Sequence, residues 1–78
     1  MALKDLVQTI AEALVDDPGA VEIREVEGEH KSLIELRVAQ ADIGKIIGKE
    51  GRTAQSIRAV LSAASAKLGK RTHLDIVE

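Results

Sequence analysis

Residues 46–53 read IIGKEGRT. Two isoleucines lead into Gly48 and Gly51, with Lys49 and Glu50 between the glycines and Arg52 just beyond. Upstream, Asp42 suits the N-cap of a short helix over 43–47. Downstream, residues 52–68 carry Ile57, Val60, Leu61, Ala64 and Leu68 at helical spacing. Gly69 then stops the helix, with Lys67, Lys70 and Arg71 near the negative end of its dipole. The stretch therefore predicts a helix, a tight glycine-bounded turn, and a helix that resumes at once.

Working outward, residues 2–15 predict a first helix, with Leu3, Leu6, Val7, Ile10 and Leu14 on one stripe. The segment DDPG at 16–19 ends it, because proline cannot continue the helix and glycine suits a turn. Residues 20–28 predict a strand in which Val21 and Ile23 alternate with Glu22 and Arg24. Val26 falls out of phase, which suggests a bulge or a twist near Arg24–Glu25. Gly28, Glu29 and His30 read as a hairpin turn. Residues 32–39 predict the partner strand, with Ile34, Leu36 and Val38 on one face. Residues 72–77 predict a last strand with Leu74 and Ile76 inward. The order is α-β-β-α-α-β: a single α+β domain over residues 1–78, its three-stranded sheet covered on one face by three helices. The other face, with Glu22, Arg24, Glu35, Arg37 and Asp75, should be wet.

Composition narrows the function. The chain has 78 residues, and a domain this small buries only about 60% of the surface of its unfolded chain. It has no cysteine, so disulfides and thiolate metal sites are excluded. It has no Phe, Tyr or Trp, so the core is aliphatic and nucleobases cannot be gripped by stacking on side-chain rings. No apolar run is long enough to span a bilayer, and the amphipathic start MALKDLVQTI, with an early acid, does not suit a secretory signal. A soluble intracellular protein is expected.

The formal net charge is −2, but it is unevenly spread. Residues 1–42 hold four basic and ten acidic residues; residues 43–71 hold seven basic residues against Glu50 alone. Such a chain can present a basic surface despite an acidic whole. At the turn, glycines allow close approach of a backbone, helix restart leaves N–H groups unpaired, and Lys49 and Arg52 add charge. Together these favour a phosphate. A G-x-x-G alone also suits a plain helix–helix turn, so the meaning comes from its context.

In that context IIGKEGRTAQSI resembles the I-G-x-x-G-x-x-x-x-I pattern of the KH domain, whose turn clamps about four nucleotides of a single strand. The helix-first order resembles the prokaryotic, type II form. Over essentially its whole length, the chain is similar to the short bacterial single-KH proteins of the KhpA family. The resemblance implies single-stranded RNA binding at Lys45, Ile46, Ile47, Gly48, Lys49, Glu50, Gly51 and Arg52. Ile43, Ile46 and Ile47 would divide between flooring a base groove and anchoring the short helix, and Ile34 and Leu36 would be core, with one neighbour on their strand meeting the bases. It further implies a cytoplasmic RNA chaperone without cofactor, a homodimer, and pairing with a second KH protein of the KhpB (Jag, EloR) type in cell elongation and cell-wall synthesis.

Beside that reading stand plainer ones. Ala59, Ala63 and Ala66, with Gln55 and Ser62 nearby, give the long helix a second stripe of small residues, suited to helix–helix approach in a dimer, though alanine also simply favours helix. His30 and His73 lack partners at metal-ligand spacing, and no serine has a histidine within helical reach. The turn lacks the Lys-Ser/Thr ending of a P-loop, so an enzyme is not expected. Glu50 sets an acid inside the clamp, which leaves an alternative: a KH-fold interaction module with little affinity for RNA.

Overall fold

The computed structural model describes residues 2–78. Helix α1 spans Leu3–Leu14, strands β1 and β2 span Glu22–Glu27 and Lys31–Arg37, helices α2 and α3 span Ile43–Ile47 and Arg52–Lys67, and strand β3 spans Arg71–Val77. Single 3-10 turns lie at Pro18–Ala20, Gln40–Asp42 and Lys49–Gly51. This is the α-β-β-α-α-β order expected from the sequence.

The sheet order is β1-β2-β3. β1 and β2 form an antiparallel hairpin, whereas β3 runs parallel to β2. A parallel neighbour demands a crossover, and α2 with α3 supplies it. Helix α1 packs over β1 and β2, and α3 packs over β3. Between these layers lie Val7, Ala11, Ile34, Leu36, Ile46 and Leu61, each at most 1% exposed. The core is aliphatic, as a chain without aromatic residues requires.

Three local expectations are corrected. The hairpin has no bulge: Ile23 pairs with Leu36, Glu25 with Ile34 and Val26 with Leu33 in unbroken register. Val26 keeps the two-residue period by facing outward, where Leu33 covers part of it. Glu25 takes the inward position at the sheet edge and is only half-buried. The outer face otherwise carries the expected charges, with Arg24 and Glu35 at 3.8 Å.

The buried stripe of α3 is Ala54, Ile57, Leu61 and Ser65. Val60 and Leu68, expected inside, are 49% and 60% exposed. Small residues at 54 and 65 let the helix lie close to its neighbours, which narrows the stripe; Leu68 lies beyond the last turn as the C-cap.

Asp42 does occupy the N-cap position of α2, but its side chain caps nothing there. Its backbone (φ −99°, ψ −5°) already lies near the helical region, whereas a capping side chain needs an extended one. The carboxylate is instead buried, accepts the Asp17 amide at 3.1 Å, and meets Lys45 Nζ at 3.4 Å. Lys45 also reaches Asp16 at 3.2 Å. The α1–β1 connection is thereby fastened to α2. Burial pushes the Asp42 pKa up, but the amides of Asp17 and Asp16 and the ammonium of Lys45 outweigh it and hold the carboxyl below its ordinary value. Hydrogen bonding to Asp16, then to Asp42, raises Lys45.

A depressed folded-state pKa adds stability that is present above the unfolded value of 3.8 and is lost as pH falls through the lower folded value. Asp42→Asn should therefore be less stable than wild type at neutral pH, and the gap should shrink as pH falls below 3.8. Urea unfolding followed by far-UV circular dichroism measures both. A gap that does not change with pH would deny the carboxylate its charged role.

Candidate nucleic-acid interface

Helix α2 closes with the Gly48 amide donating to the Gly44 carbonyl at 2.8 Å. The chain then passes through three residues of positive φ: Glu50 (φ +58°) and Gly51 (φ +74°) are left-handed, whereas Gly48 (φ +76°, ψ 175°) is extended in a region open essentially to glycine alone. The Gly51 amide donates back to the Gly48 carbonyl at 3.2 Å, and the Arg52 amide to the Lys49 carbonyl. Those two amides, expected free, are therefore occupied. The remaining N-terminal amides of the 16-residue helix α3 receive no side-chain cap from its N-cap residue.

The two glycines serve different ends. A Cβ on Gly48 would collide with Thr53 Oγ1 and stand 2.6 Å from Thr53 Cβ. Gly48 thus faces the protein, and its missing side chain lets the turn fold against α3. A Cβ on Gly51 would meet nothing within 4 Å. Gly51 is the position open to an approaching molecule.

Around them the charges sort into two kinds. Lys49 is exposed and enters no salt bridge among the described residues. Arg52 and Glu50 are exposed and paired at 3.1 Å, so the acid of the turn leans on its arginine rather than on Lys49. Lys45, expected beside them, is committed to Asp16 and Asp42. Ile46 is fully buried and anchors α2 to the core, so no groove reaches it. Ile43 and Ile47 are half-buried on the same short helix.

Farther along α3, the structure shows a feature the sequence reading did not assemble. A groove of about 520 Å³ lies between the C-terminal half of α3 and the start of β3. Arg58, Ser62 and Ser65 line it from the helix, and Arg71, Thr72 and His73 from the strand. Only the excess of cations after residue 43 hinted at it; the pairing of Arg58 with Arg71 depends on the crossover. Gln55, Ala59, Ser62, Ala63 and Ala66 are all exposed, and Ser62 and Ala66 also border this groove. His30 and His73 are exposed, and among the described residues no three His, Cys, Asp or Glu gather as metal ligands. Nor is any described helix long and apolar enough to cross a membrane.

A mixed three-stranded sheet beneath three helices, the last two joined by a G-x-x-G turn, defines a KH domain of the type II arrangement. The chain belongs to the KhpA/KhpB KH-domain family, whose model matches residues 4–76. It is 52% identical over 73 residues to the RNA-binding protein KhpA of Caldanaerobacter subterraneus subsp. tengcongensis, covering 94% of this chain and 97% of that one. It is 49% identical over 77 residues to the RNA-binding protein KhpA of Aquifex aeolicus, covering 99% and 98%. Among solved structures, Era of Aquifex aeolicus superposes with a TM-score of 0.63 at 21% identity, a likeness of fold. The match covers 95% of this chain but spans only 29% of Era.

The unequal glycines give a direct test. Gly48→Ala adds a backbone penalty of about 1–3 kcal/mol, because φ +76° with ψ 175° is open essentially to glycine alone, and an overpacking cost of about 1–3 kcal/mol against Thr53. Gly51→Ala adds only a left-handed penalty of about 1–2 kcal/mol, and Gly51→Asn less, since Asn tolerates this backbone. Urea denaturation should rank Gly48→Ala as clearly the least stable. The reverse order would contradict the packing described.

Proposed function

We propose that this protein binds single-stranded RNA, with the sugar-phosphate backbone seated over Gly51 and against the start of α3. The observation that carries this reading is the conjunction of an open glycine at the start of a 16-residue helix and the exposed cations Lys49 and Arg52. The names of the KhpA relatives support it. Binding rather than catalysis is the proposed activity. Ile47 and Ile43 offer partly exposed apolar surface beside the turn for bases. Gly48 and Ile46 support the site from behind, and Lys45 fixes the helix that presents it. Glu50 competes with phosphate for Arg52, so binding is weak, sensitive to salt and poorly selective for sequence.

Each cation that neutralises a phosphate of a single strand contributes about 0.7 to the slope of log affinity against log salt. Lys49→Ala with Arg52→Ala should therefore weaken binding to a short labelled RNA and reduce that slope by about 1.4. Gly51→Asn should also weaken binding without loss of fold. Unchanged affinity and slope would refute the site. They would favour the second reading, a protein-interaction module, for which the Glu50–Arg52 pair is the supporting observation.

The exposed face of α3 with Gln55, Ala59, Ser62, Ala63 and Ala66 is proposed to join two copies. Its small side chains allow close helix approach, and a domain of this size has a thin core of its own. In keeping with the family resemblance, the chain acts in the cytoplasm as an RNA chaperone, as a homodimer or with a KhpB-type partner, in cell elongation and wall synthesis. Sedimentation at micromolar concentration should find a dimer that Ala63→Arg converts to monomer. A wild-type monomer would remove the homodimer.

A further inference from the structure

We propose that Asp42 and Lys45 are positioning residues for RNA binding. Their ion pair, strapped to the α1–β1 connection, sets the direction of α2 and so aims the G-x-x-G turn that α2 carries. Lys45 itself then touches no phosphate. This rests on the RNA reading above and extends it to residues that lie outside the turn.

Helix α2 has five residues and rises about 7.5 Å. Isolated helices shorter than about 12 residues are marginal in water, so neighbours must fix how α2 lies. One anchor is Ile46, fully buried in the core. A single anchor leaves a short helix free to pivot. The second anchor is the polar pair. The Asp42 carboxylate, buried at the N-cap position, accepts the Asp17 amide at 3.1 Å and meets Lys45 Nζ at 3.4 Å. Lys45 Nζ also meets Asp16 at 3.2 Å. These partners sit on a stiff segment. Val15 is buried, and its amide donates to the Ala11 carbonyl at 3.1 Å. Pro18 restricts the backbone, and the Ala20 amide donates to the Asp17 carbonyl at 3.1 Å. Support therefore runs from α1 through the connection to α2, and the turn begins at Gly48, three residues past Lys45.

Charge argues that Lys45 works inward. It stands against two carboxylates, so the three groups sum to a formal −1, one cation less two acids. A phosphate arriving there meets net repulsion, whereas Lys49 enters no salt bridge among the described residues and Arg52 meets one exposed acid. Drawing Lys45 out to a phosphate would also strip the buried Asp42 of its cation, which is costly. The role left to the pair is geometric. When α2 loses this anchor, the turn is set correctly in only a fraction of molecules, and apparent affinity falls by that fraction.

The two roles of Lys45 predict different signs. Loss of a phosphate contact reduces the slope of log affinity against log salt by about 0.7, whereas loss of positioning leaves it unchanged. Removing the Asp42 charge strengthens RNA binding if simple attraction governs, and weakens it if positioning does.

The experiment is fluorescence anisotropy with a labelled octauridylate at several salt concentrations. The proteins are wild type, Lys45→Gln, Lys45→Arg, Asp42→Asn, and the double variant of Lys45→Gln with Asp42→Asn. Circular dichroism and urea unfolding establish that each is folded at the assay temperature. Lys45→Gln and Asp42→Asn should each bind about tenfold more weakly, as when about one molecule in ten is correctly set, with the wild-type salt slope. The double variant should be no worse than either single one. Lys45→Arg should bind like wild type, because a guanidinium can bridge the same two carboxylates. Tighter binding by Asp42→Asn, or a slope lower by about 0.7 in Lys45→Gln, overturns the proposal. So does a lowered urea midpoint with unchanged affinity, which would leave the pair a contact for stability alone. Should Asp42→Asn fail to fold, Lys45→Gln and Lys45→Arg decide the matter, since that side chain is 44% exposed. Failure of the RNA reading itself looks different: Lys49→Ala with Arg52→Ala would then leave affinity and slope untouched.

Discussion

The turn between α2 and α3 closes only because Gly48 brings bare backbone against Thr53. Much else follows from that contact. The sharp reversal lets a five-residue helix hand over directly to a 16-residue one. The long helix can then run back over the sheet and deliver β3 parallel to β2. Without the reversal, the two helices would merge or splay, and β3 would lose its place at the sheet edge. The same reversal leaves the start of α3 and the open side of Gly51 at the surface. Fold and candidate site thus share one steric condition, which is why a substitution at Gly48 tests the fold and one at Gly51 tests the site.

Electrostatics refine the division. The acidic N-terminal half does more than balance the basic half. Asp16 and Asp42 hold Lys45, and Glu27 holds Lys70, so part of the cation excess is spent on fastening elements together. Glu50 holds Arg52, but both are exposed, and such pairs contribute roughly 0–1 kcal/mol. A phosphate can displace Glu50 at little cost, whereas displacing buried Asp42 from Lys45 would strand a carboxylate in the core. Counting charges cannot separate these cases; burial does.

The elements and their order were legible because each rests on a local signal: the stripe of α1, the Pro-Gly stop after it, the alternation around Ile34 and Leu36, and the glycine-bounded turn. What sequence misread depends on neighbours. Val26 broke an expected phase because Leu33 opposite it makes an outward valine tolerable. Val60 and Leu68 are apolar, but α3 approaches its neighbours through Ala54 and Ser65, and no periodicity argument favours a buried serine over an exposed leucine. Asp42 has the right residue type for a cap and the wrong backbone for it. The turn was readable as a possible anion site, yet its glycines looked equivalent until Thr53 was seen beneath one of them. The groove was legible only as an excess of cations after residue 43, since Arg58 and Arg71 come from elements that meet only through tertiary packing.

The lack of aromatic side chains bears on the mechanism as much as on the core. Stacking on a ring contributes about 1–3 kcal/mol per base in other single-strand binders, and this chain has none to offer. Partly exposed isoleucines can cover a base but do not replace that gain. In the proposed reading, affinity must therefore come mainly from the phosphates engaged at the turn. Sequence preference is then left with little energy behind it.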